Sequence, residues 1–154
     1  MKKSLIDAKE YLDTIRIPMR IAIKTGDMWP WVISLWFLHQ DGLLYCATQK
    51  HAKIVGHLEN DNRCAFEIAA DTPPYCGIRG KARARIDESL GAKILEKLLV
   101  RYLGDTENEL AKNLLSKKDT EVAIVIEPVR IYTWDFRQRM KGIGDGQISS
   151  KICP

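Results

Sequence analysis

Ile15, Ile17, Met19, Ile21 and Ile23 alternate with Arg16, Pro18, Arg20, Ala22 and Lys24. Strict alternation marks a strand with one face in a core, and Pro18, which has no N–H to donate, places a free edge there. A helical turn or two precede it, and Gly26 and Asp27 end it. The next run, WPWVISLWFLH, is apolar at both parities, as expected of a strand covered on both faces. Gln40, Asp41 and Gly42 form a hairpin turn into LLYCAT, which ends at Thr48. Ala52, Ile54, Val55 and Leu58 then follow a short helical spacing that Asn60, Asp61 and Asn62 stop.

RCAFEIAA is the next strand. Beyond a loop at Pro73 and Pro74, Ile78, Gly80, Ala82, Ala84 and Ile86 alternate with Arg79, Lys81, Arg83 and Arg85. That predicts a long strand with one basic face, its small inner residues suiting a tight barrel interior. Leu90 to Leu103 is an amphipathic helix with Gly104 as its C-cap, and Thr106 with Glu109 reads as a capping box for a second helix through Leu115. The last strand runs from about Glu121 to Asp135, with Pro128 marking a bulge or edge. The order predicts a mainly β fold: a closed or nearly closed antiparallel barrel with helical additions. One domain is expected over residues 1–140, and a polar mobile tail bearing Gly142, Gly144 and Gly146 over 141–154.

At 154 residues and 45% hydrophobic the chain has enough apolar material for a self-sufficient core, which excludes disorder as its main state. A net charge of +4 is too small to announce a nucleic-acid binder and favours small anionic ligands. Asp7, Lys9 and Glu10 interrupt the N-terminal apolar residues, so no secretory signal is expected. The longest apolar run, Trp29 to Leu38, is about half the ~20 residues a membrane helix needs. A soluble, cytoplasmic protein is expected, with Cys46, Cys64, Cys76 and Cys153, at wide and irregular intervals, as reduced thiols.

Hydrolase and nucleotidase motifs are missing: there is no G-x-S-x-G, Walker loop, G-x-G-x-x-G after a strand, or H-E-x-x-H. Cys46, His51, His57 and Cys64 lack zinc-finger spacing, and no metal is expected. YCATQKHAK carries more information, because a strand ends at Thr48 and a helix opens after it with Lys50 and Lys53. Helix N–H groups, a hydroxyl and two ammonium groups make an anion site suited to phosphate. The competing reading has Thr48 as a plain N-cap and both lysines solvated. Trp134 to Met140 sets an aromatic ring beside Arg137 and Arg139, which can hold a planar or anionic ligand. A basic-faced RNA-binding barrel using Arg79, Lys81, Arg83 and Arg85 lacks alternating aromatic residues for base stacking, so no nucleic-acid partner is expected.

PWVISLWF, LLYCATQKHAK, Arg63 opening RCAFEIA, PPYCGIRGKA, RYLG and EVAIVIEPVRIYTWDFRQRM occur in an order that resembles the pyridoxamine 5'-phosphate oxidase-like proteins from about Ile15 to Met140. The resemblance implies a six-stranded split barrel with a short helix after the third strand and two late helices. It further implies a homodimer holding FMN at the subunit interface. It maps the strand behind the isoalloxazine onto Ile33, Ser34, Leu35 and Trp36, and phosphate ligands onto Thr48, Lys50 and Lys53. The spacing from Thr48 to Lys53 is one residue shorter than in the oxidase, so Lys53 stands for either of two adjacent basic residues. Arg79, Trp134 and Arg139 match further residues near the cofactor. The implied activity is a flavin-dependent oxidoreductase of a small organic substrate. The oxidase has an R-x-H element near its C-terminus, whereas here RQRM puts Met140 after Arg139 and supplies no histidine, so that oxidase activity itself is not expected. Members using the deazaflavin F420 or haem, or carrying flavin without catalysis, are the alternatives. A flavin supplies the redox chemistry itself, which accounts for the missing acid/base constellation.

Overall fold

The computed structural model describes residues 4–142 and 152–154. Helix α1 (Lys9–Thr14) precedes strands β1 (Met19–Lys24), β2 (Pro30–Leu35), β3 (Leu38–Gln40) and β4 (Leu43–Gln49). Helix α2 (Lys53–Asn60) leads to β5 (Arg63–Ala69) and β6 (Cys76–Asp87). Helices α3 (Gly91–Leu103) and α4 (Glu109–Leu115), with a short 3-10 turn, lead to β7 (Glu121–Asp135). The strands form one antiparallel sheet in the order β2-β1-β5-β6-β7-β4-β3.

Seven strands replace the expected six, because the apolar run from Trp29 to Leu38 supplies two of them. β2 pairs with β1, whereas β3 pairs with β4 at the opposite edge of the sheet. Only Trp36 and Phe37 separate the two edges, a reach of at most about 11 Å. The sheet therefore curls until its edges approach at this crossover. No ladder joins β2 to β3 among the described residues, so the sheet is curled but not closed. The short helix consequently follows the fourth strand.

The concave face holds the main core: Met19, Ile21 and Ile23 of β1 meet Phe66, Ile68, Ile78, Leu44, Ile124 and Phe37. Leu5, Tyr11 and Leu12 fill it from the α1 side, and Ile54, Val55 and Leu58 from α2. Gly80 is required here by space, since a Cβ would lie 2.6 Å from the Arg130 carbonyl and 2.7 Å from the Phe66 ring. The second face of β4 and β7 is covered by Ile94 and Leu98 of α3, against Ala123 and Val125. Double coverage thus belongs to the first six residues of β7, Glu121 to Ile126, which are all buried, and not to the Trp29–Leu38 run. β2 is an edge strand with Val32 61% exposed.

Other local expectations are corrected by neighbouring residues. Pro18 precedes β1 instead of marking its edge, and β1 is interior, between β2 and β5. The cap of α4 is Asn108, whose side chain accepts from the Ala111 N–H at 2.9 Å; Thr106 lies two residues too early. The hairpin turn narrows to Asp41 and Gly42, both at positive φ, because Gln40 belongs to β3 and pairs with Leu43; Gly104 (φ 88°) caps α3 as expected. Register shifts opposite Pro128, as a bulge there requires. Cys46 and Cys64 are free and buried, but Cys76 and Cys153 form a disulfide, so the four-thiol expectation fails for that pair. Residues 143–151 of the expected tail lie outside the described residues.

α1 is fastened by Arg101 of α3. Its guanidinium donates to the carbonyls of Leu12 (2.5 Å), Ile15 (2.7 Å) and Asp13 (3.2 Å), while lying over Phe37 of the crossover. His39 of β3 is buried beside this junction, 3.9 Å from Asp13, with neither ring nitrogen hydrogen-bonded. Burial lowers its pKa against the opposing pull of Asp13. Asp41 also favours its charged form, whereas Lys9 and Arg101 oppose it. The unfolded chain therefore binds this proton more readily, and the associated stability is lost as pH falls below the unfolded histidine value of about 6.5. Urea unfolding at pH 7.5 and 5.5 is expected to show a smaller acid loss in His39→Leu than in the wild type. Equal losses would exclude His39 as a source.

Candidate functional site

β2 lies between two grooves. Its core-side residues Trp31, Ile33 and Leu35 stand opposite Ile23, Ile21 and Met19 of β1, whereas Val32 and Ser34 face outward beside Ala22 and Arg20. The first groove, about 630 Å³, runs between the β1–β2 turn and α2, with Asp27, Trp29, Pro30, Trp31, Lys53 and His57 in its wall. Trp31 meets the His57 ring edge-on at 5.7 Å. The Thr25 hydroxyl bonds Asp27 and also donates to the Trp29 carbonyl at 2.9 Å, fixing the turn that leaves Trp29 72% exposed. That hydroxyl lowers the Asp27 pKa, so the groove contains a carboxylate as well as cationic Lys53.

The anion side differs in detail from the sequence reading. Ala52, not Thr48, is the N-cap of α2, and no side chain caps it. Lys53 is the first helical residue and has no acidic partner among the described residues. Lys50 sits in the intervening turn and its ammonium is 2.7 Å from Glu88. Thr48, opposite Val122 near the end of β4, lines neither groove. The proposed phosphate set is thus partly separated: Lys53 faces the groove with uncapped helix N–H groups behind it, and Lys50 is engaged elsewhere.

The second groove, about 410 Å³, crosses the outer face of the sheet from Val32 to Tyr132, past Arg20, Glu67, Arg79 and Lys81. Arg79 lies opposite Tyr132 in the ladder and 5.4 Å over the Trp134 ring. A Cβ at Gly77 would be 2.7 Å from Trp134, so glycine lets that ring lie over β6. The aromatic residues absent along β6 are therefore supplied across the ladder by β7. Pairing of strands distant in sequence creates this corner, so no local pattern announces it.

Ile33 and Leu35 pack against the core, Ser34 is exposed, and Trp36 stacks on Tyr102 at 4.9 Å. Arg139, in the turn after β7, lies 5.9 Å over Phe136 and lines neither groove. Cys46 and Cys64 belong to the core, where burial raises both thiol pKa values. Asp27, Trp29, Trp31 and His57 are among the groove residues that sequence reasoning did not place in the site. The exposed indoles beside a turn were their one available signal.

No family model and no curated protein sequence matches the chain. Solved structures do match. The conserved hypothetical protein Rv2991 from Mycobacterium tuberculosis superposes with a TM-score of 0.73 at 21% identity, covering 89% of this chain and 88% of that one. An F420 reductase gives 0.64 at 20% identity, covering 80% and 94%. A protein from Listeria innocua described as a candidate pyridoxamine 5'-phosphate oxidase gives 0.63 at 19% identity, covering 83% and 95%. The fold is therefore that of the split-barrel proteins resembling pyridoxamine 5'-phosphate oxidase. No helix among the described residues is long and apolar enough to cross a membrane.

Proposed function

We propose that the protein is an FMN-dependent oxidoreductase acting on a small organic substrate, with its site completed by a second copy in a two-fold dimer. One observation carries the reading: a lysine without an acidic partner among the described residues opens an uncapped helix and shares a groove with the exposed aromatic edge of β2. The residues fit the cofactor. Lys53 and the first N–H groups of α2 suit a phosphate, and the backbone of Ile33 to Trp36 offers a flat support for a ring. Arg79 and Trp134 would contact the same cofactor from the outer face. Bound FMN would supply hydride or electron transfer; this chain's residues bind it, orient it and exclude water.

The exposed outer face of β2, with Val32 beside the aromatic and basic corner, supports assembly through this surface. The absence of a histidine from the RQRM segment supports a substrate other than pyridoxamine phosphate.

Separate titrations with FMN, F420 and haem, followed by visible spectra and light scattering, test this reading. Micromolar or tighter FMN binding to a dimer is expected. Binding of F420 or haem in its place would transfer the function to that cofactor, and an FMN-loaded monomer would remove the shared site.

A further inference from the structure

We propose that the Cys76–Cys153 disulfide is a reversible redox clasp that fastens the C-terminal residues against one end of the barrel. Cys76 opens β6 and is fully buried, whereas Cys153 is next to the last residue of the chain. Ile152, beside it, forms part of the wall of a cavity of about 310 Å³ with Tyr11, Ile15, Ile17 and Thr72. The Tyr11 hydroxyl reaches the carbonyls of Ile68 (3.3 Å) and Cys76 (3.4 Å), so the clasp closes where α1 meets the sheet.

Three features make the bond suitable for switching. Residues 152–154 belong to no helix or strand, so their release breaks no ladder. Cys153 is partly buried, whereas Cys76 is fully buried, so an external thiol approaches the bond from the Cys153 side. The other two cysteines cannot compete: burial raises both thiols, Cys64 to about 12, leaving almost no thiolate for exchange. The protein thus contains one addressable pair.

A dithiol is the required reductant. Its first thiolate attacks the Cys153 sulfur, the S–S bond breaks, and the electron pair leaves on the Cys76 sulfur. The second thiol then closes the reagent's own disulfide and frees Cys153. Two electrons and two protons pass from dithiol to protein, and the exposed consequence is an opened cavity beside Tyr11. This inference stands independently of the FMN reading.

The full chain should be alkylated with iodoacetamide under native conditions, with and without prior dithiothreitol, and mapped by mass spectrometry. We expect Cys153 to be labelled only after reduction, with Cys46 and Cys64 unlabelled and far-ultraviolet circular dichroism unchanged. Carboxypeptidase Y should remove C-terminal residues at least tenfold faster after reduction, and oxidised glutathione should restore resistance. Cys153→Ser should be cut rapidly with or without reductant. Cys153 unlabelled after reduction, label on all four cysteines with loss of structure, or equal slow cleavage of oxidised, reduced and Cys153→Ser protein would each overturn the clasp.

Discussion

Replacing Lys53 with Met is expected to weaken FMN binding about ten- to hundredfold while leaving riboflavin within about threefold. Lys53 begins α2, where uncapped N–H groups and the positive end of the helix dipole already favour an anion. Removing its ammonium deletes a charge-assisted hydrogen bond typically worth about 1.5–3 kcal/mol, and every 1.4 kcal/mol is tenfold in the dissociation constant. Riboflavin lacks the phosphate and keeps the ring, so its contacts with β2 remain. Lys50→Met is the contrast. The Lys50 ammonium is exposed and 2.7 Å from Glu88, so its removal should change FMN affinity by less than about threefold. Fluorescence titration of both ligands against the three proteins separates the cases. Equal loss for FMN and riboflavin in Lys53→Met would place the phosphate elsewhere.

Elements defined by their own residues were legible in the sequence. β7 begins and ends at the expected Glu121 and Asp135, and the Asp41–Gly42 turn and the Gly104 cap follow from local backbone chemistry. What failed required knowledge of distant partners. An apolar run such as Trp29 to Leu38 reads as one buried strand until pairing with both β1 and β4 splits it at Trp36. Cys76 and Cys153 are 77 residues apart, so nothing local distinguishes them from Cys46 and Cys64. The candidate site divides along the same line. Lys53 was visible because the proposed phosphate ligands lie in one contiguous segment, whereas its groove companions Asp27, Trp29 and His57 reach it from a turn and a helix that only the fold brings together.

Gly91→Ala is expected to cost on the order of 3 kcal/mol or more, beyond the usual range for adding one methyl group. Gly91 starts α3 and is buried against the start of β7. A Cβ there would lie 1.9 Å from the Glu121 carbonyl oxygen, 2.2 Å from its carbon and 2.6 Å from the Val122 nitrogen. These are backbone atoms, so no side-chain rotation relieves the overlap. Either α3 lifts from the face formed by Ala123 and Val125, losing contacts of Ile94 and Leu98, or the first residues of β7 shift. Gly56→Ala in α2 provides the opposite case: nothing lies within 4 Å of its Cβ position, and alanine should stabilise by about 0.5–1 kcal/mol. Urea unfolding measures both, and a loss below about 1 kcal/mol in Gly91→Ala would contradict the packing argument. FMN affinity then identifies the element that yields. Glu121 stands opposite Gln49 at the end of β4, just before the turn into α2. Displacement of β7 should therefore reach Lys53 and weaken FMN, whereas displacement of α3 alone should lower stability with affinity retained.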